Sequence, residues 1–191
     1  ANLTTINNKV LQIGGDGDFK QINGVSVTQQ GYPIGYFYGY KVEGVYQNAE
    51  DIKQSPENTL GTARPGDLKF KDMTGDNKIT PADRTIIGDP TPDFTYGFNL
   101  GLEYKGVDLS VDFMGVYGNE IYRDWDKSIS SQNNYRTARL NRWNGEGTSN
   151  WEPILDPSRS INNEASSYFV EDGSFFRLNN LQLGYTFPAK L

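Results

Sequence analysis

The chain contains no cysteine and no histidine in 191 residues. Without histidine it lacks the commonest general base and the usual neutral metal ligand, and without cysteine it has no thiol nucleophile, thiolate zinc site or disulfide. Ordinary enzyme chemistry is disfavoured on these grounds, and 24 acidic residues alone, some of them close to one another by chance, do not point to glycoside hydrolysis. No run of about 18 apolar residues occurs, which excludes a transmembrane helix but leaves a membrane-spanning barrel open. No basic stripe occurs either, and a net charge of -6 with a pI near 4.7 argues against nucleic acid as a partner. Ala1 stands where an initiator methionine or a leader would, so the chain reads as a piece of something longer.

Aromatic residues and glycine are present in quantity. Twenty-one glycines, nine prolines and 13% aromatics favour turns and strands over long helices, so the expected fold class is all-β and antiparallel. The clearest pattern lies in residues 94–117. Phe94, Tyr96, Phe98, Leu100, Leu102 and Tyr104 alternate with Thr95, Gly97, Asn99, Gly101 and Glu103. After Lys105 and Gly106 the alternation resumes, with Leu109, Val111, Phe113 and Tyr117 opposing Ser110, Asp112 and Met114. This is a hairpin with one broad apolar face. A last strand is expected over 175–187, with Leu181, Leu183, Tyr185 and Phe187 on one face. Strands are also expected over 2–13, ended by Gly14, Gly15, Asp16, Gly17 and Asp18, in the Tyr-rich run 32–46, and at 68–70. A short helix over 49–54 is capped by Asn48 and stops before Pro56.

The broad apolar face suits either lipid or a second packed sheet. Connection lengths favour lipid: roughly eighty residues separate the first strand from the hairpin, a few join its two arms, and about fifty precede the last strand, the long-short-long pattern of an outer-membrane barrel. Glu103 and Asp112 are tolerable on an aqueous lumen face and costly in hydrocarbon.

Two candidate sites stand out. Asp72, Thr74, Asp76, Lys78, Thr80 and Asp83 occupy positions one, three, five, seven, nine and twelve of an EF-hand-like calcium loop, with Lys78 offering its carbonyl. The loop departs from the pattern in having Asn77 at position six, Thr74 at three and Asp83 at twelve, and a solvated turn without an ion accounts for the same residues. Calcium here would be a structural staple. Tyr36, Tyr38 and Tyr40 are candidates for stacking on a ligand such as a sugar, against the plainer reading of loop packing. Trp125, Trp143 and Trp151 divide the same way.

Several ordered segments carry a family likeness. Pro33-Ile34-Gly35-Tyr36-Phe37-Tyr38-Gly39-Tyr40-Lys41-Val42-Glu43-Gly44-Val45-Tyr46-Gln47 is followed by Pro65-Gly66-Asp67-Leu68-Lys69-Phe70-Lys71-Asp72 and Asp83-Arg84-Thr85-Ile86-Ile87-Gly88. Then come Tyr96-Gly97-Phe98-Asn99-Leu100, Tyr104-Lys105-Gly106-Val107-Asp108-Leu109-Ser110, Gly118-Asn119-Glu120-Ile121-Tyr122 and the tail from Tyr168 and Val170 through Gly173, Phe176, Arg177, Leu178 and Asn179 to Leu183-Gly184-Tyr185-Thr186-Phe187-Pro188. Together they resemble the C-terminal part of SusC/RagA-type TonB-linked outer-membrane transporters. The resemblance implies a transmembrane β-barrel of about 22 strands with an N-terminal plug, located in the bacterial outer membrane and energised through TonB by the missing N-terminal part. It also implies oligosaccharide or peptide import with a SusD-like surface lipoprotein, and no catalysis. On that reading residues 1–191 are a barrel fragment. Residues 14–92 form an extracellular loop region containing the acidic loop 72–83, 93–119 the barrel hairpin, 120–172 a second extracellular loop and 173–191 a barrel strand. Such a fragment cannot close a barrel, and its edges and lipid face need covering by loops, other molecules or detergent. The alternative is a soluble extracellular glycan-binding module stabilised by calcium.

Overall fold

The structure is a computed structural model that describes residues 1–13, 19–22, 24–127 and 134–188. The break expected at Gly14–Asp18 lies outside them. In chain order the described strands are β1 Asn2–Thr5, β2 Phe19–Ile22, β3 Ser26–Gln29, β4 Tyr36–Gly39, β5 Val42–Val45, β6 Glu57–Asn58, β7 Leu68–Phe70, β8 Lys78–Ile79 and β9 Thr85–Gly88. They continue with β10 Phe94–Tyr104, β11 Val107–Tyr117, β12 Glu120–Tyr122, β13 Val170–Asp172 and β14 Phe175–Tyr185. One α-helix, α1 at Ala49–Gln54, carries the Asn48 cap: its side chain accepts from the backbone N–H groups of Glu50 and Asp51. The first strand is shorter than expected. Beyond Thr5 the chain keeps only scattered hydrogen bonds, such as Val10 N–H to the Tyr32 carbonyl at 2.9 Å.

The long strands form a wall in the order β1-β10-β11-β14, antiparallel throughout. β10 and β11 pair from Phe94 opposite Tyr117 to Tyr104 opposite Val107. Lys105 at φ 49° and Gly106 at φ 80° close the hairpin, the two left-handed residues that a tight turn matching strand twist requires. Between β11 and β14 the register slips once: Asp112 faces Asn180, but the next residue, Phe113, faces Leu178. Leu178 and Leu181 are three apart and would otherwise point to opposite faces; the extra residue, Asn179, returns both to the apolar side.

The wall is one layer thick. Phe98, Leu102, Tyr104, Leu181, Leu183 and Tyr185 all lie on its apolar face and are exposed, Leu102 by 56% and Leu183 by 74%. Among the described residues no second sheet packs on this face, as a sandwich would require.

The buried core lies at the end of the wall remote from the hairpin turn. There the two long connections fold together into a cap. It contains the sheet β2-β3-β4-β9 and the pairs β5-β7, β6-β8 and β12-β13. Tyr40, Val42, Val45, Leu68, Phe70, Ile79, Ile161, Tyr168 and Phe169 form one cluster drawn from both connections. The long connections are thus folded on one another, well beyond the few short elements expected within them. A pin holds them: the Asp67 carboxylate, fully buried, accepts from Arg159 Nε at 3.0 Å, from Arg159 Nη2, from Asn162 Nδ2 at 3.1 Å and from the Arg64 backbone at 2.8 Å. Asn162 Oδ1 in turn accepts the Leu68 N–H at 2.8 Å.

Removing one partner of such a pair strands the other charge. Asp67→Ala is expected to cost about 3 to 5 kcal/mol. Limited proteolysis of the protein should then cut the cap at concentrations the parent resists, and unchanged cleavage would show that the pin is dispensable.

Candidate functional site

The cap is organised by a second ionic cluster at the outer end of the β12-β13 ribbon. Arg123 pairs with Asp126 and, at 2.7 Å through Nε, with Glu171. Arg136 Nε meets the same Asp126 at 2.7 Å, and its Nη2 lies 3.4 Å from Glu152. Arg139 sits 3.6 Å from Asp126 and 3.5 Å from Glu152, and donates to the Asp126 carbonyl at 2.9 Å. Three guanidinium groups thus face three carboxylates, and Asp126, Arg123 and Arg139 are all under a tenth exposed. The Tyr168 hydroxyl donates to Glu152 at 2.7 Å, and its ring lies beneath Arg123 and Arg139. Burial and the hydrogen bond to Glu152 push the Tyr168 pKa up, so it remains a donor. Sequence reading missed this cluster. The three-residue spacings Arg123/Asp126 and Arg136/Arg139 were its only local trace.

The acidic loop is held by its own backbone. Asp83, fully buried, takes the N–H groups of Met73 at 2.9 Å and Thr74 at 3.0 Å on one oxygen, and that of Thr80 at 2.7 Å on the other. Both threonine hydroxyls add to these, Thr74 at 3.0 Å and Thr80 at 3.2 Å. Asp72 accepts from the backbone of Gly75 at 2.6 Å and Asn77 at 2.8 Å, and Asp76 from that of Lys78 at 2.9 Å. Lys78 lies in β8, paired with Glu57, and Ile79 is buried in the core. Asn77 adopts the left-handed conformation at φ 63° that position six of the loop demands. Five N–H and O–H groups converge on Asp83, so the loop is closed by its own hydrogen bonds, and a cation there would have to share or displace them. Among the described residues no three of Asp, Glu, His and Cys gather into a metal-holding group. Burial works to raise the Asp83 pKa, but the backbone N–H groups of Thr80, Thr74 and Met73 outweigh it and hold the carboxyl down to about 2.

The tyrosine candidates are also corrected. Tyr36 is 1% exposed, its hydroxyl donating to Gln29 at 2.9 Å, and Tyr40 is fully buried against Phe70 with ring centroids 5.0 Å apart. Neither ring can be reached by a ligand. Tyr38 is half-buried and edge-on to Tyr36. Trp143 packs on the core, whereas Trp125 and Trp151 are exposed on the cap surface.

The wall offers two contrasting faces. On the apolar face Tyr96, Phe176, Phe113 and Phe98 form a ladder across three strands, with successive centroids 6.2, 5.1 and 6.3 Å apart. Tyr96 lies over Gly115, where a Cβ would sit 2.2 Å from its ring. Tyr117 and Phe94 stack at one end of this face, and Tyr104, Tyr185 and Phe187 mark the other. An eleven-residue strand rises about 33 Å, which at a tilt near 40° spans about 25 Å, the height of an outer-membrane apolar band between aromatic girdles. The other face carries Asn99, Asp112 and Asn180 in a row, both amides donating to the carboxylate.

No family model matches the chain. Over 165 residues it is 39% identical to TonB-dependent receptor P3 of Formosa agariphila, covering 85% of this chain and 16% of that protein. It is 30% identical over 225 residues to TonB-dependent receptor P39 of the same organism, covering 97% of this chain and 22% of the relative. TonB-dependent receptor SusC of Bacteroides thetaiotaomicron is 27% identical over 198 residues, covering 97% and 18% respectively. Among solved structures, the RagAB peptide transporter superposes with a TM-score of 0.69 at 21% identity, and the RagAB peptide importer in its open-open state with 0.67 at 23%. Each covers 94% of this chain and 19% of that one, a likeness of fold. The chain spans about a fifth of the length of the relatives it matches.

Two outcomes are expected. A carboxyl whose folded pKa lies below its ordinary value stabilises fully above about pH 4 and loses that contribution as pH falls toward 2. Protection factors of the Met73, Thr74 and Thr80 amides should drop over that window, and Asp83→Asn should lower them at every pH and abolish the step; an identical pH profile in the variant would refute the role. Second, Leu100→Arg at mid-height of the apolar face should cost about 2 to 4 kcal/mol of barrel stability, against little for Ser110→Arg on the other face, measured by urea unfolding in lipid vesicles.

Proposed function

Because this chain belongs to the SusC/RagA-type TonB-dependent receptors, we propose that it supplies a section of barrel wall and an outward-facing cap to an outer-membrane nutrient importer. The observation that carries this reading is the single-layer wall, whose exposed apolar face has the height and aromatic borders that lipid contact demands. The polar face then lines the lumen, the turn at Lys105 and Gly106 faces the periplasm, and the cap stands outside the cell. Energy comes from TonB through a part of the protein outside this chain. The cap is the surface offered to a SusD-like lipoprotein, with Trp125 and Trp151 exposed on it. The cargo is an oligosaccharide or a peptide. The likeness to SusC and to a peptide transporter supports that pair of classes without choosing between them.

These 191 residues contain no cysteine, so a single cysteine introduced among them is a new label site, read against the parent protein as background. Met73→Cys on the cap should react with a membrane-impermeant maleimide in intact cells. Lys105→Cys should react only after the outer membrane is permeabilised. The reverse pattern, or equal labelling of both, would overturn the assignment.

A further inference from the structure

Arg177 stands apart on the polar face of the wall. The β11-β14 register sets it opposite Met114, on the side that carries Asp112 and Ser110, while its neighbours Phe176 and Leu178 belong to the apolar side. It lies close beneath the cap, three residues beyond Ser174. Its guanidinium rests over the Phe175 ring, 4.9 Å from the centroid, so the group is oriented rather than free to wander. Among the described residues no carboxylate pairs with it, although the chain as a whole has more acids than bases. The acids on this face are committed or distant: Asp112 holds Asn99 and Asn180, and Asp108 and Glu103 face one another next to the hairpin turn. A guanidinium stacked on a ring keeps its edge donors available, and those donors match an oxyanion in bidentate geometry.

We propose that Arg177 is a specificity residue at the outer end of the lumen, binding a carboxylate or sulfate group of the cargo as it passes beneath the cap. This rests on the importer reading and narrows it: the preferred cargo carries at least one oxyanion. Phe175 acts as a positioning residue, fixing the plane of the guanidinium.

The test uses the full-length transporter with its lipoprotein partner in intact cells, and matched probes that differ by one charge: oligopeptides with a free or amidated C-terminus, and oligosaccharides with or without sulfate. In at least one pair the charged member should be taken up better, and Arg177→Gln should reduce the charged-to-neutral ratio roughly tenfold at equal amounts of assembled protein. Arg177→Lys should keep part of the preference, since it retains charge without the fork. A ratio unchanged by Arg177→Gln overturns the proposal. So does rescue of Arg177→Glu by a single lysine on the neighbouring barrel strand, because the oxyanion then belongs to the transporter itself. TonB-dependent uptake without any charge preference removes only this inference, whereas absence of TonB-dependent uptake for every probe removes the importer reading with it.

Discussion

A sheet one layer thick has no interior, and the rest of the molecule is arranged around that constraint. Its apolar side chains gain nothing from one another beyond edge contacts and ring stacking, so their burial must come from outside the chain. The core that the chain builds for itself is therefore displaced to the cap, where both long connections contribute to a single cluster. Wall and cap obey different rules: in the wall alternation decides which residue goes where, and in the cap closure of a compact body decides it.

Closing that body from two polar, glycine-rich connections puts charge inside it. The cap holds its charges in balanced sets, with Asp67 against Arg159 in one and three arginines against Asp126, Glu152 and Glu171 in the other. Such sets are weak sources of net stability, since desolvation offsets most of the attraction, but they are intolerant of any arrangement that leaves one member unpaired. Their effect is selection of one geometry.

How much of this could be read in the sequence divides along the same line. The hairpin was legible because period-two alternation is local and is enforced by two different solvents, and Lys105-Gly106 marks a turn with its own chemistry. The cap was not legible, because its decisive contacts join residues about ninety positions apart, such as Asp67 with Arg159 and Leu68 with Asn162. Residue type also misled. Tyr36 and Tyr40 alternate as an exposed strand would, but the run 36–40 is packed on both sides and spends its rings on the core. The calcium-like spacing of Asp72 to Asp83 picks out the carboxylates that gather this loop. What it cannot disclose is that backbone N–H groups arrive there first. The slip at Asn179 was equally hidden, since strict alternation through 175–187 sends Phe176 and Leu178 to the wrong side.

The two regions are nevertheless mechanically continuous. β12 and β13 extend the ladder of β11 and β14 past the apolar band, with Glu120 opposite Asp172 and Tyr122 opposite Val170, so the wall runs on into the cap as one ribbon. Glu171 lies on that ribbon, and its carboxylate is shared between Arg123, at the ribbon's end, and Arg136, from the folded connection. The larger ionic cluster is thus anchored to backbone that is hydrogen-bonded directly above the wall, while the Asp67 pin ties the first connection to the second. Parting Asp67 from Arg159, or Asp126 from its arginines, would leave a buried ion uncompensated, whereas Glu171 is half exposed and adds a weaker tie between ribbon and cluster. The cap is therefore tied to the wall through this ribbon, and on the importer reading it stands over the end of the polar face that carries Arg177.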